Sequence, residues 1–284
     1  KTLKESLDKF ESQDERSFNF GFDPVPKWFF IQFDSATVNE THILSVSYPL
    51  IDTVLLYRLK NNKLKKIGLA GDMILESETF RNNFPSFSVT PKSASDTFLI
   101  GIKTVSANQF EISLTKVEDF IGKSNTTHWF YAIFYGIIIS MFFYNLFVFI
   151  LLKYRPYIFY CLYLLAQMMM FSGMNGHFYE FVSQGNWLVG NIYMILGVTI
   201  LSATGVAFSQ VFLNIKKDSA FINRLFQLLI VINVLLAITG FFIPYQYHIK
   251  IVMAMGAISS FCVLVGGVFS YLKGNKSARF FVLS

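Results

Sequence analysis

The chain has 284 residues and a formal charge of +6, with 53% hydrophobic and only 15% charged residues. Residues 1–127 hold 31 of the charged side chains and a net charge of −1, while residues 128–284 hold nine Lys/Arg, two Asp/Glu and a net charge of +7. This split excludes a single soluble globular domain and a long disordered tail, and it excludes nucleic-acid binding because the basic excess lies between apolar runs.

Lys1–Gln13 is charged, with Leu3, Leu7 and Phe10 at helical spacing, and predicts a short surface helix. The period then changes to two. Lys27–Phe33 is an apolar run suited to a central strand, and Ile43–Tyr48 is a second strand closed by Pro49. Thr53–Leu59 turns at Asn61-Asn62 into Lys63–Ile67, and Gly71-Asp72 marks another turn. Phe84–Val89, Thr97–Lys103 and Gln109–Thr115 complete the set; the last two alternate apolar and polar residues. Seven or eight short strands predict an all-β sandwich, jelly-roll-like, over residues 1–122. A domain of that size can bury its own core without disulfides. Cys161 and Cys262 both lie in later apolar runs, so no disulfide framework or cysteine metal motif is expected. Residues 123–128 read as a linker.

An all-α polytopic membrane bundle is predicted over 129–284. A bilayer core about 30 Å thick needs roughly 20 apolar helical residues. Spans at 129–152, 157–176, 187–213, 225–243 and 251–272 meet that need, and a sixth begins at Phe280. Lys153 and Arg155 follow the first span, Lys216, Lys217 and Arg224 follow the third, and Lys273, Lys276 and Arg279 follow the fifth. Only Lys250 lies on the other side. The positive-inside rule makes the basic side cytoplasmic and places residues 1–127 on the outer side of the membrane. Trp129 and Trp187 then fall at the outer interface, and Tyr154 and Tyr157 at the inner one. The chain starts at Lys1 with no charged-then-apolar leader, so an export signal removed from or left out of this sequence is expected.

Chemistry is sparse. His42, His128, His177 and His248 form no metal-binding spacing, and no nucleophile elbow, P-loop or dinucleotide fingerprint is present. No catalytic residue, metal or cofactor is expected in this chain. The spans contain amides and no charged side chain. Asn145, Gln167 and Asn191, with Gln210, Gln227 and Asn233, are expected to hydrogen-bond between helices, and the absence of buried charge argues against ion coupling. In the exported half, Trp28, Tyr57, Asp72 and Arg81 are candidate ligand-binding residues: aromatic rings stack on sugars, and Arg clamps carboxylates or phosphates. The alternative is that Trp28 and Tyr57 fill the sandwich core and Arg81 pairs with a nearby carboxylate.

Tyr135-Gly136-Ile137-Ile138-Ile139, Tyr144-Asn145-Leu146-Phe147 and Arg155-Pro156-Tyr157-Ile158-Phe159-Tyr160 resemble the first two membrane helices of the bacterial seven-transmembrane receptors with diverse intracellular signalling modules (7TMR-DISM). Asn175-Gly176-His177-Phe178-Tyr179-Glu180-Phe181 is similar to that family's exit from helix two, and Ser277-Ala278-Arg279-Phe280-Phe281 to its entry into helix six. Trp28-Phe29-Phe30, Leu56-Tyr57, Gly71-Asp72 and Phe80-Arg81 resemble its extracellular sensor domain, a jelly roll similar to carbohydrate-binding modules. The Arg that usually follows the Trp is replaced by Phe29 and Phe30.

The resemblance implies a receptor that senses a periplasmic small molecule of sugar-like character and relays it through a seven-helix bundle. The partners are then that ligand, the lipid bilayer and a cytoplasmic effector module, a diguanylate cyclase or histidine kinase, that lies outside this chain with helices six and seven. Homodimerisation stays open. The alternatives are a transporter and a membrane-anchored glycan-binding protein without signalling output.

Overall fold

The computed structural model describes residues 10, 16–33, 38–60, 63–72, 74, 82–93, 96–183, 186–276, 278 and 279. The surface helix expected over Lys1–Gln13, the Asn61-Asn62 turn, Arg81 and the sixth span at Phe280 lie outside these residues. Two compact units are formed. One comprises Lys1–Trp129 with Met174–Gly190, the other Phe130–Gly173 with Asn191–Ser284.

Among the described residues, the first unit contains eight strands: β1 (Ser17–Asn19), β2 (Lys27–Gln32), β3 (His42–Val46), β4 (Thr53–Lys60), β5 (Lys63–Ala70), β6 (Ser86–Val89), β7 (Thr97–Lys103) and β8 (Gln109–Lys116). They form two four-stranded antiparallel sheets, ordered β1-β8-β3-β6 and β2-β7-β4-β5. Strand 4 pairs with 5, 3 with 6, 2 with 7 and 1 with 8, as in one long hairpin rolled up on itself. That nesting is the jelly roll.

Alternation determines what fills the sandwich. Leu44, Val46, Phe87, Val89 and Phe110 from one sheet meet Val54, Leu56, Phe98, Ile100 and Ile102 from the other in a single buried cluster. At about 25 cal/mol per Å² of apolar area removed from water, such a cluster is the main stabilising term.

Two strand expectations need correction. β2 is an edge strand and not a central one. Its run is apolar throughout because Phe29 and Ile31 pack on the core while Trp28 and Phe30 alternate to the outer face. β1 escapes sequence detection because it offers only Phe18 to the core in three residues.

The junction also differs from expectation. β8 ends at Lys116 and helix α1 (Val117–Leu152) begins at the next residue, so the expected linker at 123–128 is helical. Glu118 and Asp119 in the first turn complement the positive end of the helix dipole. Phe120 is buried, edge-on to Phe84 at 6.2 Å between ring centroids. That packing outweighs the weak helix propensity of Ser124-Asn125-Thr126-Thr127.

Four more long helices follow: α2 (Arg155–Met174), α3 (Trp187–Phe212), α5 (Ala220–Thr239) and α6 (Tyr245–Leu272), with the single-turn α4 (Ile215–Asp218) before α5. With α1 they give five helices long and apolar enough to cross a membrane. The α1–α2 turn is only Lys153-Tyr154, with Lys153 at φ +52°, and Pro156 falls in the first turn of α2, where its missing N–H costs nothing. Ser219 caps α5 by accepting the Ile222 N–H at 3.3 Å.

Candidate functional site

The outer face of the β2-β7-β4-β5 sheet carries the two aromatic candidates. Trp28 lies opposite Gly101 in the β2–β7 register, and Gly101 lies opposite Leu55 in the β7–β4 register. Gly101 leaves room for the indole: a Cβ there would come within 2.6 Å of the Trp28 ring. The Trp28 and Tyr57 rings are 6.2 Å apart and tilted by 43°. Trp28 remains 42% exposed, which removes the core-filling alternative for it. Phe30 lies in the next row, beside Leu99 and then Tyr57.

Asp72 stands in a different group. Its backbone N–H donates to Ile51 O at 2.9 Å, on the turn that brings Gly71 against the Asp52 carbonyl. Asp52 is buried and accepts from the Val105 N–H at 2.9 Å and the Thr104 hydroxyl at 3.4 Å. Burial raises its carboxyl to about 6 against those two hydrogen bonds. Burial, with the charges of Asp72 and Asp52, pushes the Tyr48 phenol up to about 12. Arg58, which sequence reasoning passed over, pairs with Asp96 and lies over the Phe98 ring at 5.6 Å. Burial alone would raise the Asp96 carboxyl, but the Lys92 N–H and Arg58 hold it below the usual range. Among the described residues, no three His, Cys, Asp or Glu side chains converge as a metal site.

The Met174–Gly190 loop, between α2 and α3, is built into the first unit. Asn83 Nδ2 donates to Asn175 O at 2.9 Å. Gly176 adopts φ +80°, and a Cβ there would sit 2.3 Å from Asn83 O and 2.8 Å from Pro49. Only glycine fits both the backbone and the space. His177 follows, 6.0 Å from the His128 ring; burial first, then His128, lower its basicity. Tyr179–Ser183 forms a π-helical turn, and the buried Tyr179 hydroxyl donates to Gly190 O at 3.3 Å. Such turns are rare and cluster at functional positions. The Asn175-Gly176-His177 motif was legible in sequence, but its partner Asn83 carries no sequence signal.

In the second unit the amides divide. Asn145 is buried, but its amide donates to Met141 O in its own helix at 2.7 Å. Asn191 is buried and Gln167 half-buried. Bonds between helices come from Gln210, which donates to Asn223 Oδ1 at 2.8 Å, and from Asn233, which donates to Ser259 Oγ at 3.1 Å. Sequence reasoning passed over Ser270, which donates to Asp218 Oδ2 at 2.5 Å and accepts from Asn275 Nδ2 at 3.0 Å. Asn275 also donates to Leu213 O at 2.8 Å. These bonds join the α4 segment to the far end of α6.

An N-terminal jelly roll followed by five helices long and apolar enough to cross a membrane is the architecture of a multi-pass membrane protein. Residues 127–284 match the family model described as 7TM diverse intracellular signalling, and residues 2–116 match the one described as 7TMR-DISM extracellular 2, which makes the jelly roll extracellular. The chain belongs to the 7TMR-DISM family of membrane receptors. A search of curated proteins finds no match.

Proposed function

We propose that this chain senses an extracellular small molecule on its jelly roll and passes the event to the membrane helices through the Met174–Gly190 loop. The docking of Asn175-Gly176 against Asn83 and Pro49 carries this reading. A ligand can bias a distant site only through an element that contacts both and has more than one arrangement. The loop continues into α3 and is hydrogen-bonded to the sandwich through Asn83, which supports it as the relay. The compartment is the periplasm of a bacterium, and the ligand has a flat face that stacks on Trp28 and Tyr57, as sugars do. The family's description, diverse intracellular signalling, supports an intracellular output, in our reading a diguanylate cyclase or histidine kinase. In this reading the residues described here bind and relay.

Hydrogen exchange on the chain in nanodiscs tests the reading. Compounds that raise its unfolding temperature are selected from a set of saccharides and organic acids, and amide exchange is compared with and without each. The expected result is altered exchange at residues 174–183 when the sandwich is occupied. A compound that binds the sandwich and leaves 174–183 unchanged would overturn the coupling.

A further inference from the structure

We infer that the outer face of the β2-β7-β4-β5 sheet binds a ring that carries a negative charge: one flat apolar face for Trp28 and Tyr57, and a carboxylate for Lys66. This rests on the sensor reading above and specifies its ligand class.

The face is built in rows by the strand registers. Trp28, Gly101, Leu55 and Leu69 make one row, and Phe30, Leu99, Tyr57 and Lys66 the next. A shift between Leu56 and Tyr57 skips Ile67 and brings Lys66 directly opposite Tyr57. Without it, Ile67 would stand beside the phenol and Lys66 would fall on the other face. The irregularity therefore places a cation next to the aromatic pair.

Three observations favour a ligand over a bare surface. Trp28 is 42% exposed to water, and Gly101 clears the space that lets its ring lie against the sheet beside Tyr57. The described residues of the face include no Asp or Glu. Lys63, Lys65 and Lys66 are all exposed on β5, with no carboxylate partner among the described residues. Lysines on an edge strand also discourage strand addition, and this suffices for Lys63 and Lys65. It does not explain a lysine placed by a register shift beside the half-buried Tyr57 and the exposed Trp28. An apolar floor orients a ring by stacking, a lysine supplies a mobile point charge for its carboxylate, and the absence of acids removes repulsion. Sugar acids and aromatic carboxylates share this chemistry.

The test uses the whole chain in nanodiscs with two matched pairs of probes: trigalacturonate against neutral galactotriose, and indole-3-acetate against indole. Binding is followed by calorimetry and by unfolding temperature. At least one acid is expected to bind at least tenfold tighter than its neutral partner and to weaken as salt rises from about 50 to 500 mM, since exposed charge attraction is screened. Lys66→Gln should remove most of that preference. Trp28→Ala should abolish both, while Trp28→Phe keeps part. The uronate and the indole acid separate the two possible sources. Equal binding of acids and neutrals, or an acid preference that survives Lys66→Gln, would overturn the charge assignment and leave the sensor reading standing. Binding of neither acid at millimolar concentration would also overturn it, while the exchange experiment still judges the sensor reading.

Discussion

The two units handle polarity in opposite ways. In the sandwich the interior is an apolar cluster rich in Val, Leu, Ile and Phe, and the buried Asp52 and Thr104, with the half-buried Asp72, lie where strands turn. In the helical unit the exterior is apolar, with Phe143, Phe147, Leu151 and Leu235 all more than half exposed, and the interior holds Asn233–Ser259, Gln210–Asn223 and Asp218–Ser270. Exposed Phe143 needs no explanation, because lipid is its solvent. Exposed Trp28 does, because water is. An exposed ring is lipid-solvated packing in one region; in the other, Trp28 is read as a binding signal because it stands with Tyr57 over a glycine-cleared face.

Substitutions sharpen that contrast, the most costly first. Gly176→Ala adds a Cβ that collides with the Asn83 carbonyl and forces an alanine into φ +80°. It should cost about 2–4 kcal/mol, or release the loop, seen as lost protection at residues 174–183. Gly21→Ala is the control: φ is +62°, nothing lies within 4 Å, and the cost should be only about 1 kcal/mol. Equal effects would mean that backbone strain, not docking, governs the loop.

Asp52 gives a pH signature that the membrane helices should lack. Its carboxyl is raised from 3.8 to about 6, so the fold holds this proton more tightly than the unfolded chain does. Well below its ordinary value of 3.8 the group is protonated in both states and costs nothing. As pH rises to about 6 the unfolded chain ionises first, and sandwich stability falls by about 2–3 kcal/mol. Asp52→Asn should flatten that fall in an equilibrium unfolding series; an unchanged pH profile would show that Asp52 is hydrated in solution.

Within the helices the expected effects are steric. Gly266 faces the fully buried Phe226, whose ring would lie 2.6 Å from an added Cβ. Gly266→Ala should cost about 1–3 kcal/mol by overpacking, read as loss of unfolding temperature in detergent. The smallest effect is expected for Asn233→Leu, which removes the bond to Ser259: about 0.6–2 kcal/mol, matched by Ser259→Ala and not additive with it in a double-mutant cycle.

Much of this architecture was legible from periodicity. Thr97–Lys103 and the alternation in Gln109–Thr115 identified β7 and β8, and charge-free length identified the five helices. What escaped had no local signature. The helical start at Val117 is fixed by Phe120 packing on Phe84, a contact across 36 residues of sequence. Arg58 was one more basic residue until β4–β7 pairing set it against Phe98 and Asp96. Among the site candidates, Trp28 and Tyr57 come together, whereas Asp72 joins Tyr48 and Asp52. The neighbour that gives the aromatic pair its charge, Lys66, depends on a register shift that alternation alone cannot reveal.

The strand nesting also sets the order of assembly during synthesis. β1 cannot pair until β8 exists, since Ser17 meets Glu111 and Phe18 meets Phe110. β3 can pair with β6 earlier, but its other edge waits for β8, with Leu44 opposite Leu114. Such distant pairings make closure slow, on the scale of milliseconds to seconds. β8 is also the last segment made before α1, and no residue separates them. The sheet therefore keeps unpaired edges until the first membrane helix is emerging, and the nascent domain is most prone to aggregation just as its anchor is delivered.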